Sequence, residues 1–595
     1  MDNMKKTGMK DGLRGIAAIV CGLALAADAG EFTSALVGRV TYDDTPGWRI
    51  SAETKSPEKG LEEWSLTFVA DKPGTPPRTK VRCGFPAKDI VGRWSTGFGF
   101  NKNLPAGWQW SANFSSSLYS QAPVLALFSS ANENRGVIAC SEALRKVNFR
   151  MGIDQGSGRI GYSAELFSEP EAPLASCTVR FRLDFRPVFY ADAVRAAFAW
   201  YGRMPVYRQA AVPEAAFDPL YSFWYSYNQH VGTACVEKEC AAAVPYGMKT
   251  AIVDDGWQTD KTGGGYVYCG DWEVSTNRFA DFPAHVKRVQ AMGMKYMLWF
   301  SVPHVGFKSA NYPKFKGKYL YEDKGMGAAV LDPRFPEVRE FLIGHYERAI
   351  RDWGLDGLKL DFIDFFSFRH GDPAVKENYA GRDIKSLPEA IDRLMTDVNK
   401  RLRAIKPSVL IEFRQSYVGP AIRKYGNMFR AMDCPMDSLA NRVATIDLRL
   451  SSGNAAVHSD MLMWNYGESP EAASKQFWNI LFSVPQISVR LKNIPAAQQA
   501  KLHEMLAFWI RHRETLMKGE LRPLRPDLNY PVVYACGKGE QVVAVYDSSM
   551  VVEVDRSRGR AVYIVNATDA KTLVVREGKK ARVVKIAPCS AARLD

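Results

Sequence analysis

Two kinds of hydrophobic patterning follow one another along the chain. From about Phe32 to Arg208, short runs alternate apolar with polar residues and are broken by Gly, Pro, Asn and Ser. Residues 66–69, 124–128 and 177–183 are examples. Period-two alternation over such short windows marks half-buried strands, so this part reads as an all-β sandwich. A helix over 190–201 then leads to a proline-bearing linker near Val212 and Pro213. From about Pro219 the period changes. Strands are predicted at 220–225, 250–253, 296–300, 357–360, 409–413, 427–431 and 457–461, with an eighth near 481–487. Amphipathic helices lie between them, for example at 283–292, 336–353 and 388–405. Strands alternating with helices predict a (β/α)8 TIM barrel, with a doubly wound sheet as the alternative. After about Leu521 only short strands remain, at 532–534, 541–546, 561–565, 572–575 and 582–586, which predicts a small carboxyl-terminal β-sandwich domain. The expected organisation is a leader over 1–29, a sandwich over 30–212, the barrel over 213–520 and the last domain over 521–595.

The fourth predicted barrel strand is the most informative. Gly354 follows the helical run 336–353 where a left-handed stop residue is wanted. The strand turns apolar at Leu358 and Leu360 and ends in Asp361, with Lys359 two residues earlier. Positions i and i+2 of a strand share a face, so Lys359 and Asp361 point the same way. A barrel presents its chemistry at the carboxyl ends of its strands. At those ends stand Trp224 and Asn228, Asp254, Asp255 and Trp257, Trp299 and His304, and Asp361 and Asp364. Glu412, Arg414 and Gln415 follow, then Asp433, Asp437, His458 and Asp460.

Carboxylates and aromatics dominate that inventory. Glycosidic-bond cleavage needs one carboxylate as nucleophile or base and one carboxyl as acid. The other chemistries are poorly served. There are 8 histidines and no His-x-His or His-Glu-x-x-His, so neither metal nor another cofactor is called for. No Gly-x-Ser-x-Gly elbow or phosphate-cradling glycine loop is present. The 14 Trp and 25 Tyr exceed ordinary packing needs and suit sugar stacking. The net charge of +14 is scattered without a Lys/Arg block, so nucleic acid is not an expected partner. An oligosaccharide or glycoconjugate is. Oligomeric state is not readable.

At the amino end, Lys5, Lys6, Lys10 and Arg14 precede the apolar run 16–27, and Ala27-Asp28-Ala29 has small-x-small cleavage character. This predicts a signal peptide and a secreted or periplasmic protein. No later run has the length and lack of charge of a membrane span. Ten cysteines are too few for a disulfide scaffold; Cys235, Cys240 and Cys269 are close enough in sequence to be pairing candidates.

Four blocks together resemble the α-galactosidases of glycoside hydrolase family 36 and its clan. They are Asp254-Asp-Gly-Trp257; Gly270-Asp-Trp-Glu-Val274 with the following 292–300; Lys359-Leu-Asp361; and Arg430-Ala-Met-Asp433. The resemblance implies a retaining mechanism in which Asp361 is the nucleophile and Asp433 the acid/base. It also implies that Lys359 keeps Asp361 ionised, that Asp254 and Asp255 accept sugar hydroxyls, and that Trp257 walls the pocket. Two places depart from the family. The segment after strand five reads Glu412-Phe-Arg-Gln-Ser-Tyr-Val-Gly419, and Ser301-Val-Pro-His304 follows strand three. Another α-linked sugar such as an α-N-acetylgalactosaminide, transglycosylation, and a non-catalytic carbohydrate-binding protein therefore stay open.

Simpler roles compete at several positions. Asp254, Asp255 or Asp437 can cap a following loop or helix. Asp437 and Asp460 rival Asp433 as the acid. Arg414 contacts either a substrate acid or Glu412. His458 and Asp460 form either a binding edge or a buried pair. Cys434 suits packing and Asp364 the outer shell of the site. Asp271 and Trp272 serve either an outer subsite or the fold.

Overall fold

The computed structural model describes residues 29–100, 102–104, 112–263, 266–369 and 380–595. Residues 1–28 of the leader read from the sequence lie outside them. Two six-stranded antiparallel sheets form the amino-terminal sandwich. One runs Ala29–Ser34, Gly38–Asp43, Thr79–Pro86, Arg159–Leu166, Val147–Asp154, Ala112–Ser116 in spatial order; the other runs Trp48–Glu58, Leu61–Gly74, Leu174–Asp184, Asn134–Cys140, Val124–Phe128, Gly92–Trp94. Alternation does its work plainly in Leu61–Gly74. Trp64, Leu66 and Phe68 are buried, while Glu63, Ser65 and Thr67 stand on the outer face. Phe149, Ile160 and Phe181 complete the filling between the sheets.

The central domain is a parallel eight-stranded barrel. Its strands are Leu220–Ser222, Thr250–Val253, Lys295–Ser301, Gly357–Asp361, Leu410–Arg414, Met428–Arg430, Ala456–His458 and Gln486–Ile487. The first pairs with the last, and a His458–Val484 bridge joins the seventh to the eighth, so the sheet closes on itself. That excludes the doubly wound alternative. The strands are nearly continuous apolar runs because they are covered on both faces. Three features departed from the expected pattern. The first strand is short, because Trp224–Tyr227 coils into a helical turn. The eighth is only Gln486–Ile487. After the third strand comes a small antiparallel sheet of His304–Gly306, Tyr319–Asp323 and Ala328–Leu331, whose strands are too short to show a period. Helix Ala496–Lys518 ends the barrel and leads into a five-stranded and a three-stranded sheet packed around Val543, Val552, Ile564 and Leu573.

All nine cysteines beyond the leader are free, so Cys235, Cys240 and Cys269 make no disulfide. Cys240 and Cys269 are buried and serve as small apolar fillers.

One buried aspartate joins the three domains. Asp447, on barrel helix Ser438–Ser451, accepts from Trp94 Nε1 at 2.8 Å and pairs with Lys102 Nζ at 2.8 Å, both from the sandwich. It also accepts from the Tyr530 hydroxyl of the carboxyl-terminal domain. Removing one member of a buried ion pair leaves the other charge uncompensated, a loss of about 3–5 kcal/mol. Lys102→Met is therefore expected to lower the chemical unfolding midpoint markedly, and Asp447→Asn with Lys102→Met together to recover part of the loss. A single variant unfolding with the parent would contradict this.

Candidate active site

Asp361 ends the fourth barrel strand and is 6% exposed. Its Oδ1 accepts three bonds: from Arg414 Nε at 2.7 Å, the Tyr417 hydroxyl at 2.8 Å and the Phe362 amide at 2.8 Å. Its Oδ2 accepts one, from Trp299 Nε1 at 3.0 Å. Burial alone would raise its pKa. The Arg414 and Lys359 charges, with the bonds from Trp299 and Tyr417, outweigh burial and hold the carboxyl well below its usual range. Oδ1 is thus saturated, and Oδ2 is the oxygen with lone-pair capacity left for a new bond.

Strand register builds this site. Trp299 lies beside Lys359 and Lys359 beside Glu412, while Ser301 lies beside Asp361. Lys359 reaches across to Asp254 Oδ2 at 2.5 Å. Burial lowers the Lys359 pKa, but Asp254, Asp361 and Glu412 outweigh it and keep the ammonium charged. Asp254 Oδ1 accepts from the Asp255 amide. Asp255 takes Gln229 Nε2 and Gln258 Nε2, each at 2.6 Å, and burial raises its pKa. Both carboxylates after strand two are therefore held by the protein at fixed positions.

On the other side, Arg430 is buried and forms a hub. It pairs with Asp433 Oδ1 at 2.8 Å and with Asp460, and its Nε lies 3.9 Å from Glu412. Glu412 accepts from Gln486 Nε2 at 2.6 Å. Asp433 stands at the rim with its side chain 54% exposed. Burial pushes its pKa up, but Arg430, Lys359 and Arg414 together hold it below the usual value. Asp460 is sealed. It accepts from the Tyr225 hydroxyl and the Cys434 amide and fixes Arg430, so it lies beneath the rim on which Asp433 stands. Asp437 caps helix Ser438–Ser451 through the Ala440 amide.

Asp361, Lys359, Asp254, Asp255, Trp299 and Arg414 come together as the sequence analysis expected. Arg414 departs in its partner, which is Asp361 rather than Glu412. Trp224 is half-buried in the turn just after strand one. Trp257 needs correction: it does not wall a pocket. Gly256 has φ +111°, and a Cβ there would meet the Gln229 backbone at 2.6 Å. The chain turns at this glycine, and Trp257 is buried in an aromatic layer with Trp272, Phe300 and the half-buried Trp353, donating to the Trp299 carbonyl at 2.8 Å. Trp272 belongs to the same layer, and Asp271 ties down residues 309–311. His458 is buried, bonded to the Ala216 carbonyl, and forms no binding edge.

Two residues at the site were missed. Tyr417 lies in the divergent segment after strand five and bonds Asp361 directly. Tyr266 stacks on both Trp299 and His304, and its hydroxyl feels the Asp255, Asp361 and Asp254 carboxylates, which add to burial in raising its pKa. No motif marks Tyr266, which sits in the long loop after strand two between the blocks at Asp254 and Gly270. Among the described residues, no cluster of three His, Cys, Asp or Glu forms a metal site, and no helix is long and apolar enough to cross a membrane.

Residues 209–479 match the model of the glycosyl hydrolases family 31 TIM-barrel domain. The chain is 22% identical over 171 residues to an A type blood α-D-galactosamine galactosaminidase from Flavonifractor plautii, covering 26% of this chain and 15% of that protein. It thus spans only a small part of that curated relative. By fold, it is similar to the family 36 α-galactosidase AgaA from Geobacillus stearothermophilus, with a TM-score of 0.64, 14% identity, and coverage of 92% of this chain and 76% of the other. The α-galactosidase from Lactobacillus brevis gives a TM-score of 0.62 at 16% identity, covering 85% and 79%. The glycosyl-hydrolase model thus matches most of the barrel described above. The matching family model is that of family 31, not the family 36 of the motif resemblance, and the two meet at the level of the barrel.

The buried histidines set an acid limit on stability. Burial lowers His458 to about 3 and His304 to about 4. The native state holds both neutral, whereas the unfolded chain takes up protons below about pH 6.5. Stability is therefore lost as pH falls from about 6.5 toward the folded values, by about 2 kcal/mol per histidine between pH 7 and 5. His458→Gln is expected to shrink the difference between urea unfolding at the two pH values by that share. An unchanged difference would overturn the assignment.

Proposed function

We propose that this protein is a retaining α-glycosidase that acts first on terminal α-galactosides. The observation that carries the reading is Asp361: a carboxylate held ionised at a barrel rim, with one oxygen saturated and the other open. In this reading Asp361 Oδ2 attacks the anomeric carbon, and the bond to the leaving oxygen breaks as Asp433 donates a proton to it. Water then attacks the glycosyl ester, giving its proton back to Asp433 and releasing Asp361. Lys359 holds Asp254 in place and keeps positive charge beside the nucleophile. Tyr266, Trp224 and Arg414 are the groups best placed to meet the sugar. The basic and apolar amino end supports export to the periplasm or medium, where oligosaccharides and glycoconjugates are met.

A second reading keeps the chemistry and changes the sugar to a galactosamine derivative. The match to the Flavonifractor galactosaminidase supports it. So does Asp364, whose Oδ1 is buried without a partner near Arg414 and Asp361 and whose pKa burial raises. A sugar ammonium would satisfy that oxygen.

A panel of aryl α-glycosides separates these readings. The α-galactoside is expected to turn over, and Asp361→Asn to lose at least about three orders of magnitude in kcat/KM. Activity of that variant within a few-fold of the parent would sink the proposal, and preference for the 2-amino sugar would select the second reading.

Asp433 adds a pH sign. Its lowered pKa leaves the protonated acid a minority at neutral pH, so kcat/KM on poor leaving groups should rise as pH falls toward that pKa. Asp433→Ala is expected to abolish this rise and to spare activated aryl substrates relative to disaccharides. Equal losses on both substrate types would point to another acid.

A further inference from the structure

The sandwich carries a polar groove that the barrel chemistry does not use. Its volume is about 330 Å³, and it lies between the outer face of the second sheet and the end of helix Tyr190–Gly202. Strand register builds the floor. Glu53 pairs with Ser65 and Ser65 with Arg180 in one row; Lys55 pairs with Glu63 and Glu63 with Arg182 in the next. Directly opposed residues of antiparallel strands share a face, so both rows present their side chains to the same side.

The two rows differ in how far they are satisfied. Arg182 is buried and donates to Glu63 at 3.0 Å, yet its Nε has no acceptor. Arg180, Lys55 and, from the wall, Arg203 line the groove without a carboxylate partner, and Glu53 has no cation. Trp200 forms the edge of the groove and is 4% exposed. Its indole N–H finds no acceptor in the protein and is not one of the sealed unpaired atoms, so it keeps some access to solvent.

Solvated lysines and arginines on a convex surface need no explanation. Here the exposed cations Lys55, Arg180 and Arg203 line one concavity beside a nearly buried tryptophan whose one donor is unused. An indole N–H, a free carboxylate and a serine hydroxyl are groups that bond sugar hydroxyls, while three unpaired cations take acid groups. We propose that this groove is a second glycan-binding site, which holds an acidic segment of a glycan while the barrel acts elsewhere on the chain. The site is independent of which sugar the barrel cleaves.

Isothermal titration with defined hexasaccharides at about 150 mM salt, where weak surface charge effects are screened, tests it. The probes are galacturonate and chondroitin sulfate hexasaccharides, with maltohexaose as the neutral control. At least one acidic probe is expected to bind and maltohexaose not to. Galacturonate binding would identify carboxylate as the recognised group, and chondroitin sulfate binding alone would identify sulfate. Arg180→Glu with Arg203→Glu is expected to weaken binding roughly tenfold or more. Lys579→Glu with Lys580→Glu makes the same change of charge on the distant carboxyl-terminal domain and is expected to change affinity by less than about twofold. Both double variants should keep the parent's melting temperature. Failure of both acidic probes to bind, equal binding of maltohexaose, or equal weakening by the two double variants would overturn the site.

Discussion

The structure depends on keeping one carboxylate charged where burial would neutralise it. Asp361 sits nearly sealed at the end of a barrel strand, and an unpaired carboxylate there would take up a proton. Arg414, Tyr417, Trp299 and its own neighbouring amide prevent this, and they come from three pieces of backbone: the segment after strand five, strand three and the end of strand four itself. Tyr417 and Arg414 flank one loop, so its placement decides both the charge of Asp361 and which of its oxygens stays open. That loop is braced from outside the barrel: the Gln121 amide of the sandwich donates to the Ser416 carbonyl at 3.0 Å. The amino-terminal domain is thereby part of what holds Asp361 in place.

Beneath the rim, a second constraint operates. Lys359 and Arg430 are buried with acid partners, Glu412 among those of Arg430, and no single pair closes the account. Buried ion pairs are weak sources of stability, since desolvation offsets most of the attraction. Their use here is placement. Arg430 holds Asp433 at the rim through one arm while Asp460 fixes the other, and Lys359 does the same for Asp254. Strength of fold comes instead from the continuous apolar core that runs from the sandwich helix through the barrel wall to helix Ala496–Lys518.

The sequence carried the barrel because its strands are apolar runs separated by helices with a clear 3.6-residue stripe. Thr250–Val253 and the strand ending in Asp361 were legible almost to the residue. The small antiparallel sheet after strand three was not, since three-to-five-residue strands carry no period. Within the site, strand-end carboxylates were legible because strand ends have one address in a barrel. Tyr266 and Tyr417 were not, because loops bring side chains to a site by tertiary contact and leave no spacing behind. Trp257 misled for a related reason. An aromatic beside Asp254-Asp255 looks like a pocket wall, but the left-handed turn at Gly256 decides its direction, and that turn sends it into the core.

The central claim is that Asp361 forms a covalent bond to the sugar. Incubation with 5-fluoro-α-galactosyl fluoride, followed by intact mass and peptide mapping, tests it most directly. A mass gain of one fluorinated glycosyl unit on the peptide containing Asp361, absent in Asp361→Asn, is the predicted result. An adduct on another carboxylate, or steady release of sugar and fluoride with no adduct while the glycosyl fluoride is consumed, would contradict the account.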